Sequence, residues 1–93
     1  MYTVKYTRSF KRSLKKLRIS GTKKVLDDIE TVVDALANGK RLEHKYKDHA
    51  LTGELQYYRE CHIRPDLLLI YQISKSEPVL FLVNIGSHSL LFG

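Results

Sequence analysis

Cys61-His62-Ile63-Arg64-Pro65-Asp66-Leu67-Leu68-Leu69-Ile70-Tyr71 reads as two strands and the turn between them. Leu67 to Tyr71 is apolar at every position, which suits a central strand that helices cover on at least one side. Arg64-Pro65-Asp66 interrupts the apolar pattern and reverses the chain. Working outward, three apolar runs cover Leu55 to Ile63, Leu67 to Ser74 and Val79 to Ile85. Lys75-Ser76-Glu77-Pro78 separates the last two, so the second half of the chain is predicted to be a β-meander of two consecutive hairpins.

The first half has a different period. Tyr2, Val4 and Tyr6 alternate with Thr3, Lys5 and Thr7, the signature of a half-buried strand. From Ser9 onward Phe10, Leu14 and Leu17 recur at helical spacing, with Lys11, Arg12, Lys15, Lys16 and Arg18 on the other face. Ser20-Gly21-Thr22 breaks this helix and offers a hydroxyl cap. Val25, Leu26, Ile29, Val32, Val33 and Leu36 then form a second apolar stripe, stopped by Asn38-Gly39. Two helices joined so closely form an antiparallel hairpin that must bury its stripe on a sheet. The expectation is an α+β fold of order β-α-α-β-β-β, with the helical hairpin packed on a small, mainly antiparallel sheet. Residues 1–93 would form a single domain. Lys40 to Gly53 is polar, basic and aperiodic, and is expected to be a loop.

Composition narrows the partners. A formal net charge of +6 favours an acidic one, nucleic acid first and an acidic protein second. The single cysteine, Cys61, allows no internal disulfide and sits in a strand pattern where a small buried residue fits. No stretch approaches the roughly 18 apolar residues of a membrane span, and Met1-Tyr2-Thr3-Val4-Lys5 has no signal-peptide core, so a soluble, cytoplasmic protein without a membrane partner is expected.

Strand alternation carries the chemistry. Cys61 and Ile63 share one face, so Glu60 and His62 point to the other, away from the core. The tight turn should bring Asp66 back beside this strand end. His49 ends the loop that feeds it, and Gly86-Ser87-His88 leaves the last strand with freedom to aim an imidazole at the same edge. Two histidines and a carboxylate around a phosphate are what RNA transesterification requires, one group taking the 2′-hydroxyl proton and another protonating the departing 5′-oxygen. A zinc site built from the same histidines and Asp66 is the competing reading, without a short paired-ligand motif to support it. His44, in a charged loop, is expected to be a plain surface residue. The basic helix face, Lys11 and Lys15 included, is either a solvated face or a phosphate-facing one.

Three segments make the pattern more specific: Lys47-Asp48-His49-Ala50-Leu51-Thr52-Gly53, Tyr58-Arg59-Glu60-Cys61-His62-Ile63-Arg64-Pro65-Asp66 and Gly86-Ser87-His88-Ser89-Leu90-Leu91-Phe92. Together, and over essentially the whole chain, they resemble the YafQ branch of the RelE/ParE superfamily of bacterial toxins. The resemblance implies a RelE-like fold and an mRNA interferase, an endoribonuclease that cleaves messages in the A site of the 70S ribosome, uses no metal or other cofactor, and is silenced by a cognate antitoxin in a hetero-oligomeric complex. Its motif positions fall on His49, His62, Asp66 and His88, with Asp66 orienting an imidazole and His88 acting as the acid, and with Lys47, Glu60, Asn84 and Phe92 among the substrate contacts. Family members carry an arginine four residues before the last histidine, where this chain has Asn84. Arg64, in the turn beside Asp66, is the expected substitute, because Arg59 should lie on the core face with Cys61. Two rivals stand beside this reading. One is a ParE-like toxin acting on DNA gyrase. The other is a non-catalytic basic RNA-binding module or an operon-repressing antitoxin, for which neither a helix-turn-helix nor an RNA-stacking motif is present.

Overall fold

The computed structural model describes residues 1–93. Strand β1 (Thr3–Tyr6) leads into helices α1 (Arg8–Ser20) and α2 (Lys23–Ala37), and a 3₁₀ turn (His44–Tyr46) precedes the short strand β2 (His49–Ala50). A second 3₁₀ turn (Gly53–Leu55) leads to β3 (Arg59–Arg64), β4 (Leu67–Ser74), β5 (Val79–Gly86) and the closing helix α3 (His88–Phe92). Hydroxyl caps start all three helices. Thr7 Oγ1 accepts from the Phe10 amide at 3.0 Å, Thr22 Oγ1 from Val25 at 3.3 Å and Ser87 Oγ from Leu90 at 3.2 Å. Gly39, at φ +73°, supplies the left-handed residue just beyond α2.

The five strands form one sheet in the order β1-β5-β4-β3-β2. β1 runs parallel to β5 and every other pair is antiparallel, so the apolar run at Leu67 does occupy the middle strand. Helices α1 and α2 cover one face. Phe10, Ile29, Val32 and Leu36 from the helices pack there against Cys61, Ile63, Leu67, Leu69, Tyr71, Leu80, Leu82 and Ile85. The α+β class and the helical hairpin agree with the sequence reading.

Three details differ from it. The segment read as a loop contains a fifth strand, because His49 and Ala50 pair with Glu60 and Arg59. The run beginning at Leu55 becomes a strand only at Arg59, since Gly53–Leu55 forms a 3₁₀ turn and Leu55 and Tyr57 stay exposed. The residues after Gly86, read as a flexible exit, are helical and pack on β5. A two-residue strand and a five-residue helix are too short for a periodic signal.

Candidate active site

Alternation along β3 puts Cys61 in the core, with none of its surface exposed, and sends Glu60 and His62 to the sheet face that α1 and α2 leave open. Pairing of β2 with β3 sets His49 directly opposite Glu60. Glu60 Oε1 therefore lies 3.6 Å from His49 Nε2 and 3.4 Å from His62 Nε2, and the two imidazole centroids are 6.5 Å apart. The carboxylate side chain is 9% exposed, against 50% for His49 and 25% for His62, so Glu60 is the floor of the cluster and the imidazoles are its rim.

His49 has a defined tautomer. Its Nδ1 lies 2.6 Å from the carbonyl oxygen of Lys47, which can only accept, so Nδ1 carries the proton and Nε2 is the atom turned toward Glu60. Lys47, at φ +47°, is the only non-glycine residue in the left-handed region, a conformation that costs a lysine free energy and here aims its carbonyl at His49.

Behind the cluster, on the helix-covered side, Asp48 is held by two partners. Arg59 Nη2 donates to its Oδ2 at 3.0 Å, and the Tyr71 hydroxyl donates a short hydrogen bond to its Oδ1. Burial, then the bond to Asp48, pushes the Tyr71 phenol pKa above its ordinary range, and the Asp48 bond raises that of Arg59. Both donors keep their protons at neutral pH. The clamp joins β2 to β3 and β4, and because Asp48 adjoins His49 and Arg59 adjoins Glu60, it fixes the register that brings the imidazole and the carboxylate together on the other face.

His62 and Lys47 also line a groove of 440 Å³ with Lys45, Tyr46, Arg64 and Pro65. Its cations make it an anion-accepting surface. Arg64, the expected substitute for the family arginine, is engaged elsewhere: Nη2 and Nε lie 2.8 and 2.9 Å from Asp28 Oδ2 on α2. Arg59 lies on the core side as expected.

Asp66 is where the geometry corrects the expectation. It makes no ion pair or hydrogen bond with an imidazole, and Glu60 occupies the place foreseen for it. Asp66 is exposed and lines a different groove with Lys16, Arg64 and Ser87, the residue before His88. The cause is a bulge: His62 pairs with Leu68 but Arg64 with Leu67, so Ile63 is an extra residue and the turn that follows is displaced.

His88 opens α3, with its ring 5.1 Å from that of Phe92. β5 delivers it to the same end of the sheet as His62, since His62 pairs with Leu68 and Leu68 with Gly86, two residues before His88. His88 does not touch Glu60 or the other two imidazoles. Asn84 faces the same open side, opposite Ile70, which is in turn opposite Glu60. Lys11 and Lys15 are solvent-exposed on α1, and His44 is exposed as expected.

The class of molecule follows from the frame: a helical hairpin on one face of a five-stranded mixed sheet is the fold of solved bacterial toxins. A metal-bound toxin from Helicobacter pylori is 49% identical, with a TM-score of 0.90 over 99% of this chain and 100% of that one. The toxin of the Escherichia coli DinJ-YafQ toxin-antitoxin complex is 26% identical, with a TM-score of 0.84 over 99% and 98%. Among curated relatives, the mRNA interferase toxin YafQ of E. coli K12 is 42% identical over 48 residues, which is 52% of this chain and half of that protein. Residues 2–93 match the family described as bacterial toxin of type II toxin-antitoxin system, YafQ, and the chain belongs to that family.

Proposed function

We propose that the chain is a ribosome-dependent endoribonuclease, the toxin of a type II toxin-antitoxin pair, that cuts messages in the ribosomal A site without a metal. The observation that carries this reading is the pair of imidazole Nε2 atoms converging on Glu60 on the open sheet face of a YafQ-family fold. The E. coli relative named an mRNA interferase and the E. coli homologue in complex with its antitoxin support the same activity and partner for this chain. The net charge of +6 and the basic groove beside His62 suit an RNA phosphate backbone.

In the proposed reaction His49 Nε2, free of the proton held on Nδ1, removes the proton of the message 2′-hydroxyl. That oxygen attacks the adjacent phosphorus while the P–O5′ bond breaks, and His88 gives its proton to the departing 5′-oxygen. The products are a 2′,3′-cyclic phosphate and a free 5′-hydroxyl. Glu60 positions the His49 and His62 rings, and His62 with Lys47 holds the phosphate. Asp66 lies in the groove next to Ser87, the residue before His88. An acid and a base suffice for this transesterification, so no metal enters the scheme.

Purified protein added to ribosomes programmed with a defined message tests the proposal. Cuts at the A site ending in cyclic phosphate are expected. Substituting either proton-transfer group, in His49→Ala or His88→Ala, should slow cleavage by about 10² to 10⁴-fold while the protein remains folded. Intact messages with the wild-type protein, or full cleavage with both variants, would overturn it.

A further inference from the structure

Asn84 is held in one orientation by its neighbours. Its Oδ1 accepts from the Ile85 backbone amide at 2.8 Å and from Ser13 Oγ on α1 at 2.9 Å. A backbone N–H can only donate, so the atom facing it is the oxygen, and two donors fill both of its lone pairs. The amide nitrogen has no partner within the chain and is solvent-accessible. Asn84 also lines a groove of 290 Å³ on the open sheet face, whose other walls include Tyr58, Ile70, Val83, Leu91 and Phe92.

The position of this groove matters as much as its lining. Ile70 separates Asn84 from Glu60 within one row of the sheet, so Asn84 lies two strands from the carboxylate, about 10 Å away. On the far wall Phe92 lies against the His88 ring, the two tilted by 41° with centroids 5.1 Å apart. The groove thus borders the Glu60 row through Ile70 and the His88 ring through Phe92. Apolar and aromatic walls with one fixed polar group are how proteins hold an unstacked base.

We infer that this groove is the subsite for a base flanking the scissile phosphate, and that Asn84 reads that base with donors only, favouring guanine over adenine. The inference rests on the nuclease reading above. An asparagine with both amide ends free pairs adenine through N6 and N7, giving one hydrogen bond and accepting another. Here the accepting end is already occupied. What remains are the two N–H bonds of Nδ2, which match the O6 and N7 acceptors of guanine and leave the adenine N6 amino group facing a donor. Ser13 is the positioning residue, because it supplies the second donor that saturates Oδ1.

Two measurements test this. Ribosome-bound messages differing by one base on either side of the cut should be cleaved about tenfold faster with guanine than with adenine in the subsite. Asn84→Asp keeps an oxygen for Ile85 and Ser13, turns another toward the groove, and should shift the preference to adenine or cytosine, whatever it does to the overall rate. Independently of cleavage, GMP should move the Asn84 side-chain amide resonances of the intact protein more than AMP does. Equal responses to GMP and AMP, or the same base preference in wild type and Asn84→Asp, overturn the subsite. Failure to cut any message while the GMP-selective shift persists overturns the nuclease reading and leaves the subsite standing.

Discussion

Replacing Tyr71 by phenylalanine removes one hydroxyl and nothing else from the clamp behind the site. Tyr71 is 1% exposed and its ring packs in the core, so the ring should stay in place while Asp48 loses a donor. A hydrogen bond to a charged group contributes about 1.5 to 3 kcal/mol. Arg59 still pairs with Asp48 at 3.0 Å, so the carboxylate is not left alone and the lower end applies, about 1.5 kcal/mol. For a chain of 93 residues that lowers the thermal midpoint by roughly 8 °C. Asp48→Asn disturbs both Tyr71 and Arg59 and should cost more. The double variant should cost less than the sum of the two, because they remove the same bond. Since the Tyr71 and Arg59 pKa values are both raised, the loss should be the same from about pH 6 to about pH 9. Thermal melts of the three variants measure this, and single-turnover cleavage reads the consequence for His49, whose strand has only two paired residues. If Tyr71→Phe and Asp48→Asn melt with the wild type, or if their effects simply add, the clamp does not hold β2 and the account of how His49 is placed is wrong.

Burial pushes the Cys61 thiol from its ordinary 9.0 up to about 12, so folded protein at about pH 8 should resist thiol reagents that label it at once after unfolding. Because the folded pKa is the higher one, this contribution to stability is intact below about pH 9 and is lost as pH rises toward 12; Cys61→Ala should flatten that limb of an alkaline unfolding curve, and rapid labelling of native protein would contradict the assignment. Glu60→Gln keeps the shape of the floor but replaces the charged carboxylate that both Nε2 atoms face with a neutral amide, and a drop of about a hundredfold in kcat with little change in KM is expected; unchanged kcat would leave Glu60 without an orienting role. A Cβ on Gly86 would lie 2.7 Å from Leu90 Cδ2, and since Leu90 is 66% exposed it can swing aside. Gly86→Ala should therefore cost about 1 kcal/mol or less in a denaturant titration and leave cleavage within a few-fold of wild type, because the Leu90 side chain and not α3 gives way. Asp28→Ala breaks an ion pair between half-exposed partners and should change stability by less than about 1 kcal/mol while freeing Arg64 for the phosphate, seen as a lower KM.

Much of this architecture is legible along the chain, and the exceptions share a cause. Long periodic segments declare themselves: the stripes of α1 and α2, the uniformly apolar β4, and the alternation that separates Cys61 from Glu60 and His62. Alternation gives the face of a residue but not which carboxylate reaches a given ring, so the sequence points to Asp66 as the imidazole partner and leaves Glu60 among the substrate contacts. The pairing of β2 with β3 decides that, and a two-residue strand leaves no pattern. The Asp48 clamp had one visible sign, the adjacent alternating residues Asp48-His49 and Arg59-Glu60, each pair placing one side chain on either face. Ser13 and Asn84 lie 71 residues apart, and no local signal joins them.

Strict alternation also breaks where the chemistry is concentrated. Leu82 and Ile85 are three residues apart, yet both are buried in the helix-covered core. That is possible because Tyr71 pairs with Leu82 and Ile70 with Asn84, leaving Val83 as an extra residue in β5. Without that bulge a register carrying Leu82 inward would turn Asn84 inward too, and the amide that completes the open face would be buried among leucines. The second bulge, at Ile63, places Arg64 on the side where Asp28 waits, instead of leaving it to a simple hairpin end. One irregularity thus adds a polar donor beside the cluster and the other withdraws a cation to a carboxylate on α2. Each costs a ladder hydrogen bond or two, which a sheet that served only to bury its core would have no reason to give up. The bulges flank the Glu60 row on both sides, at β3 and at β5, and it is this placement, more than the count of histidines, that marks the open face as the working surface of the molecule.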